Sequence, residues 1–158
     1  MARISERMSA ENPLWVALDF DDHRLLLSQH EIRSLESVLD VRRQDAVPPI
    51  AGTITVAGET WPVYCLSGEE LVVTADIPSH HRVCLLLDDG RHRLAIVCGQ
   101  IEMLALSPRR YPLPACLAKP AALIEALVVH GETVACLTTT ARLAAFCQRD
   151  TAWGEENG

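Results

Sequence analysis

The stretch from Ile50 to Leu66, I-A-G-T-I-T-V-A-G-E-T-W-P-V-Y-C-L, constrains the fold of this chain more than any other. Ile54 and Val56 alternate with Thr53 and Thr55, the period of a strand with one face buried, Gly58 marks a turn, and Trp61 to Leu66 form the return strand. Trp61 and Tyr64 are two of only seven aromatic residues, and Pro62 stands between them. A proline inside a strand belongs at an edge or an irregular position, and an edge bearing aromatics can serve as an interaction surface. Trp61 is therefore either a core residue or part of such a surface, and the sequence leaves both open.

The rest of the chain can be placed around this hairpin. Leu14 to Phe20 reads as a buried strand, Asp21-Asp22-His23 as its turn, and Arg24 to Ser28 as the return. From Ile32 to Val41 the apolar positions Ile32, Leu35, Val38, Leu39 and Val41 have helical spacing. Pro48-Pro49 predicts an extended entry into the hairpin. After it, Ser67 and Glu70 have capping-box spacing, which predicts a short helical turn. Val83 to Leu87, the turn Asp88-Asp89-Gly90 and Leu94 to Cys98 form another hairpin, continued by Ile101 to Leu106. A proline-rich loop leads to a last hairpin, Val129 to Leu137, whose V-H-G-E-T echoes the V-A-G-E-T of the first and supports two equivalent units. Near the C-terminus, Thr138 or Thr139 can cap a helix that places Leu143, Phe146 and Cys147 on one face. Nine or ten short strands with regular turn signals point to small barrels in a mainly β fold.

A chain of 158 residues is the size of one domain or of two small sub-barrels sharing a core. Residues 1–12 read as a flexible leader, 13–150 as a single domain with a sub-barrel boundary near 77–81, and 151–158 as a flexible tail. The net charge of −7 lacks the basic footprint of nucleic-acid binding. No run approaches the ~18 apolar residues of a membrane span, and the N-terminus has no signal-peptide core, so the expectation is a cytoplasmic protein without membrane insertion. Six cysteines at long, irregular gaps, several inside apolar runs such as V-C-L-L-L, read as reduced core thiols.

No catalytic constellation is evident, so catalytic, cofactor and metal residues are all expected to be none. Asp19, Asp21, Asp22 and His23 offer oxygen and nitrogen ligands, but a hairpin turn accounts for them. His80, His81 and His92 fall in loops beside arginines and read as solvated. Cys98, followed by Gly99 and Gln100, is the best candidate for a reactive thiol, yet no neighbouring cation favours its thiolate.

Taken together, Pro48, Gly52, Gly58, Pro62, Val63 and Leu66, then R-V-C-L-L-L-D-D-G-R-H-R-L-A-I-V-C-G-Q-I-E and Y-P-L-P-A-C-L, resemble the CheW-like domain of bacterial chemosensory adaptors from about Leu14 to Phe146. The resemblance implies two intertwined five-stranded SH3-like β-barrels with a short C-terminal helix, and for Ile32 to Val41 it favours a strand followed by a loop over the helix that spacing alone suggests. It also implies no enzymatic activity and a scaffold role coupling a chemoreceptor cytoplasmic domain to a CheA-type histidine kinase. Protein-binding candidates are Gly52, Val56, Ala57 and Gly58 on this basis, together with Trp61 and Pro62 of the aromatic edge. The family's turn arginine is Ala57 here, and its aspartate before the leucine is Cys65, so the chain resembles a diverged adaptor of a chemotaxis or type IV pilus pathway. A thiol- or ligand-responsive regulator on the same fold is the alternative.

Overall fold

The computed structural model describes residues 14–21, 23–68, 71–105, 109–113, 123–130 and 132–147; the expected leader and tail lie outside them. Twelve strands and one helix are present among the described residues. β1 (Leu14–Phe20) and β2 (His23–Ser28) form the first hairpin, and β3 (Ile32–Ser37) leads through two short 3-10 turns to β4 (Gly52–Val56) and β5 (Glu59–Ser67). β6 (Val72–Thr74), β7 (Val83–Asp88), β8 (Arg93–Cys98) and β9 (Gln100–Ala105) follow, then β10 (Arg109–Pro112), β11 (Ala126–His130), β12 (Thr133–Leu137) and helix α1 over 140–147.

The strands divide into two sheets with matching connectivity. One runs β3-β7-β8-β5-β4, with β6 attached to β5; the other runs β10-β11-β12-β2-β1-β9. In each, the second strand of one hairpin pairs in parallel with the return strand of another: β5 with β8, and β12 with β2. The β4-β5 hairpin thus corresponds to β11-β12, β7-β8 to β1-β2, and β3 to β9. Two equivalent units expected from the repeated V-x-G-E-T are present as topology, although the turns differ: Val56 pairs with Glu59, whereas His130 pairs with Thr133, so the second loop lies one residue later. The N-terminal hairpin completes the sheet built from C-terminal strands, which is what intertwines the units. The boundary expected near 77–81 does not coincide with a change of sheet, because that segment links β6 to β7 within one sheet.

Burial on both faces explains the unbroken apolar runs. Along β8, Leu94, Ile96 and Cys98 join a core shared with Val16, Leu18, Phe20, Leu25 and Leu27 of the other sheet, while Ala95 and Val97 turn to a core of their own sheet with Ile54, Trp61 and Cys84. Strands whose side chains alternate between two buried faces lose the polar half of the period-2 pattern. The second sheet has its own core as well, built on Trp15, Ala17, Leu26 and Val128. Helix α1 adds Leu143, Ala144 and Cys147 to the shared core. Thr139 is its cap, accepting from Arg142 N–H at 3.1 Å, and Glu31 accepts from Thr140 N–H at 2.7 Å.

Two readings made from local spacing alone are corrected. Residues 32–37 form a strand and 38–40 a 3-10 turn, as the family resemblance favours and in place of the helix that spacing alone predicts. Val47 and Ile50 close a turn around Pro48-Pro49, with Ile50 N–H donating to Val47 O at 2.8 Å, so the chain bends there and does not enter extended. The helical turn expected from Ser67 to Glu70, between the end of β5 and the start of β6, falls partly on residues outside those described.

Candidate functional site

The β4-β5 hairpin is closed by Ala57 and Gly58, with φ of 52° and 80°. Two consecutive positive φ values give the two-residue turn whose twist matches that of the flanking strands. Gly58 adopts this conformation freely, but Ala57 does so against the Cβ clash that disfavours it by about 1–2 kcal/mol. Ala57→Gly should therefore raise stability by about 0.5–1 kcal/mol after the greater freedom of glycine in the unfolded chain is subtracted, read as a higher midpoint in urea.

Beside this tip the two edge strands of the sheet, β3 and β4, border a common groove. Glu36 of β3 and Thr55 and Val56 of β4 line one open groove of about 670 Å³, together with Asp40, Arg42 and Ala57. At its closed end, Arg42 and Thr53 exchange backbone hydrogen bonds of 2.7 and 3.3 Å. Beyond Thr53 the outer edge of β4 is unpaired among the described residues. Leu35 and Leu39, exposed by 57% and 88%, lie on β3 and the 3-10 turn that contribute Glu36 and Asp40 to the groove. An open strand edge beside exposed leucines and a few charges is suited to a protein partner.

The six expected binding residues do not all belong to this surface. Ala57 and Gly58 are exposed at the tip, and Val56 is half-buried in the groove. Gly52 is buried, and a Cβ there would meet Arg42 O at 2.7 Å and Val41 Cγ1 at 2.9 Å. Trp61 is only 3% exposed and belongs to the core, with the Arg93 guanidinium 4.2 Å above its ring; Arg93 in turn pairs with Glu59 and Asp88. Pro62 is half-buried opposite Thr53, one residue before the parallel pairing with β8 begins at Val63, so β5 is an inner strand and its proline sits just outside the second ladder. The aromatic edge is thus core, and the charged groove, which the sequence did not single out, is surface.

The cysteines behave as buried hydrophobes. Cys65, Cys84, Cys98 and Cys147 are buried and Cys136 is half-buried, all as free thiols; Cys116 lies outside the described residues. Burial pushes the thiols of Cys65, Cys84 and Cys98 up to about 12, reinforced at Cys98 by the nearby Asp19 carboxylate. These three thiols should react slowly with a disulfide reagent in native buffer and rapidly in denaturant. Their folded pKa lies above the unfolded value of 9.0, so the unfolded chain loses the proton first and stability falls as pH rises from about 9 towards 12. Alkaline unfolding followed by circular dichroism reads that slope, which Cys84→Ala reduces.

His81 departs from the solvated surface expected of it. It is buried, its Nδ1 lies 3.6 Å from Cys65 Sγ, and its Nε2 has no hydrogen-bond partner. Asp21, at the first hairpin turn with a φ of 47°, accepts from Gly68 N–H at 2.8 Å through Oδ2, and its Oδ1 is 2.5 Å from His80 Nε2. The His80 hydrogen bond, then that of Gly68, holds the Asp21 carboxyl below its usual range. A second charged cluster, Arg24 with Asp19 at 2.8 Å and Glu102 at 3.2 Å, ties β1, β2 and β9 together on the surface.

The two interlocked sheets with a C-terminal helix packed on their shared core are a CheW-like fold. Among solved structures, the chain is similar to the scaffolding protein TtCheW from Thermoanaerobacter tengcongensis, with a TM-score of 0.63 at 12% identity, over 80% of this chain and 88% of that one. No family model and no curated protein matches the sequence. No helix among the described residues is long and apolar enough to cross a membrane.

Proposed function

We propose that this chain is a cytoplasmic, non-enzymatic bacterial scaffold that couples a chemoreceptor cytoplasmic domain to a CheA-type histidine kinase, in chemotaxis or a type IV pilus pathway. The observation that carries the reading is the likeness of the interlocked architecture to a scaffolding protein, over 80% of this chain and 88% of that one. In this reading Val56, Ala57 and Gly58, with the adjoining groove, face the receptor, while Gly52, Trp61 and Pro62 hold the hairpin in place. The buried, protonated thiols of Cys65, Cys84 and Cys98 weigh against a thiol-responsive regulator.

Binding is tested pairwise, with the purified chain titrated against a kinase regulatory domain and against a receptor cytoplasmic tip. Ala57→Arg puts a guanidinium with five donors at an exposed tip position. It should tighten receptor binding by about tenfold, the equivalent of one charge-assisted hydrogen bond, and leave the kinase affinity unchanged. Unchanged affinity for the receptor would remove the tip from the receptor face, and binding of neither partner would overturn the scaffold reading.

A further inference from the structure

We propose that Asp21, His80 and His81 form a binding site for a divalent transition ion of the zinc class, which clamps the β1-β2 turn of one sheet to the segment entering β7 of the other. One ligand atom from each residue lies within 4.8 Å of the other two. Asp21 Oδ1 is 2.5 Å from His80 Nε2 and 3.5 Å from His81 Nε2. Three ligands at zinc bond lengths of about 2.0–2.2 Å sit roughly 3.3 Å apart in a tetrahedron, so the Asp21–His81 separation already suits an ion and the Asp21–His80 contact has to lengthen.

His81 is the independent sign of a ligand. Its side chain is fully buried, and Nε2 makes no well-formed hydrogen bond: it faces the Asp21 carboxylate oxygen at 3.5 Å, too long and poorly aligned to satisfy it. An unsatisfied buried imidazole nitrogen is costly unless something occupies its lone pair. The other nitrogen is held from behind by Cys65 Sγ, 3.6 Å from Nδ1; in the tautomer whose Nδ1–H donates to the sulfur, Nε2 is left as the acceptor that a metal requires. Asp21 is fixed in the same way, since Gly68 N–H occupies Oδ2 and leaves Oδ1 for the ion. The His80 and His81 rings stand edge to face, 4.6 Å between centroids and 77° apart, so adjacent residues reach the same point from different directions.

Metal binding replaces the proton between Asp21 and His80. The His80 proton leaves Nε2, either to solvent or to Nδ1 of the same ring, and the ion takes its place between nitrogen and carboxylate. A cavity of about 470 Å³ beside the cluster, lined by Asp19, Asp21, His80, Arg82, Gly99 and Gln100, gives the ion a path and leaves room for a water as fourth ligand. Two imidazoles and one carboxylate select zinc, cobalt or nickel over calcium and magnesium, which prefer all-oxygen shells. This site is independent of the hairpin tip and of any protein partner.

The test strips the full chain with a chelator and titrates it with Zn²⁺ against a chromophoric competitor, and in parallel with Co²⁺. The expected result is one equivalent bound, visible tetrahedral Co²⁺ bands, a higher melting temperature with Zn²⁺, and no response to Ca²⁺. His80 is 61% exposed on its side chain, so His80→Ala should keep the fold and weaken Zn²⁺ binding at least tenfold. His92→Ala, which alters the separate His92-Asp89 pair, should leave affinity unchanged. Absence of binding by the folded chain, or equal affinity in His80→Ala, overturns the proposal. Should His80→Ala fail to fold, Asp21→Asn, which keeps an acceptor for Gly68 N–H, supplies the same comparison.

Discussion

Trp61→Ala lowers the unfolding free energy by about 3–5 kcal/mol, the range for deleting a buried indole, measured as a lower urea midpoint at unchanged slope. The indole fills the core of the first sheet beside Ile54, Val63 and Cys65, and its outer face is covered by the Arg93 guanidinium. Removing it opens a cavity under the hairpin and leaves Arg93 with only its carboxylate partners. Trp61→Phe retains most of the apolar contact and should recover more than half of the loss. An account in which Trp61 is a binding anchor expects the opposite pattern, with partner affinity lost and stability kept.

Gly52→Val should cost about 3 kcal/mol, the upper end of the range for overpacking a filled site. The added Cβ lies 2.7 Å from a backbone oxygen, which cannot swing away as a flexible side chain would. Relief requires β4 to move off the Arg42 segment, breaking the paired hydrogen bonds between Arg42 and Thr53 and loosening Thr53 Oγ1 from Asp45. Gly52→Ala meets the same contact with a smaller group and should fall between wild type and Gly52→Val. Thermal melts of the three proteins read the order directly. The glycine at this position is explained by the close approach of the Arg42 backbone.

The hairpins were legible because their turn residues and apolar runs are local features. Asp88-Asp89-Gly90 and Ala57-Gly58 mark loops by their own chemistry, and V-C-L-L-L with L-A-I-V-C signals strands buried on both faces. The strand at Ile32–Ser37 was disguised. Its pairing with β7 shifts register between Ile32 and Ser34, and the outward Leu35 and Leu39 are apolar, so the apolar positions fall at a helical spacing. The connection that interlocks the sheets, β2 beside β12, joins positions more than a hundred residues apart and leaves no local pattern.

The candidate sites were legible only in part. Ala57 and Gly58 could be placed at a turn from sequence, but the groove needs residues of β3 and the 38–40 turn brought to one place by the fold with those of β4, which are remote in sequence. Trp61 was undecided because a buried aromatic and an interface aromatic have the same one-dimensional neighbours. Asp21 and His80 are 59 residues apart, so each looked like an isolated loop residue until the two sheets closed on each other. The fixed side of His81, its contact with Cys65, is equally remote in sequence.

Assembly of a ternary complex is the most direct measurement of the central claim. The purified chain, a CheA-type kinase regulatory domain and a receptor cytoplasmic tip are mixed and separated by size-exclusion chromatography with mass detection. A scaffold predicts one species containing all three, in which receptor and kinase domain co-elute only when the chain is present. Elution of the folded chain alone, while a standard adaptor assembles both partners under the same conditions, would contradict it.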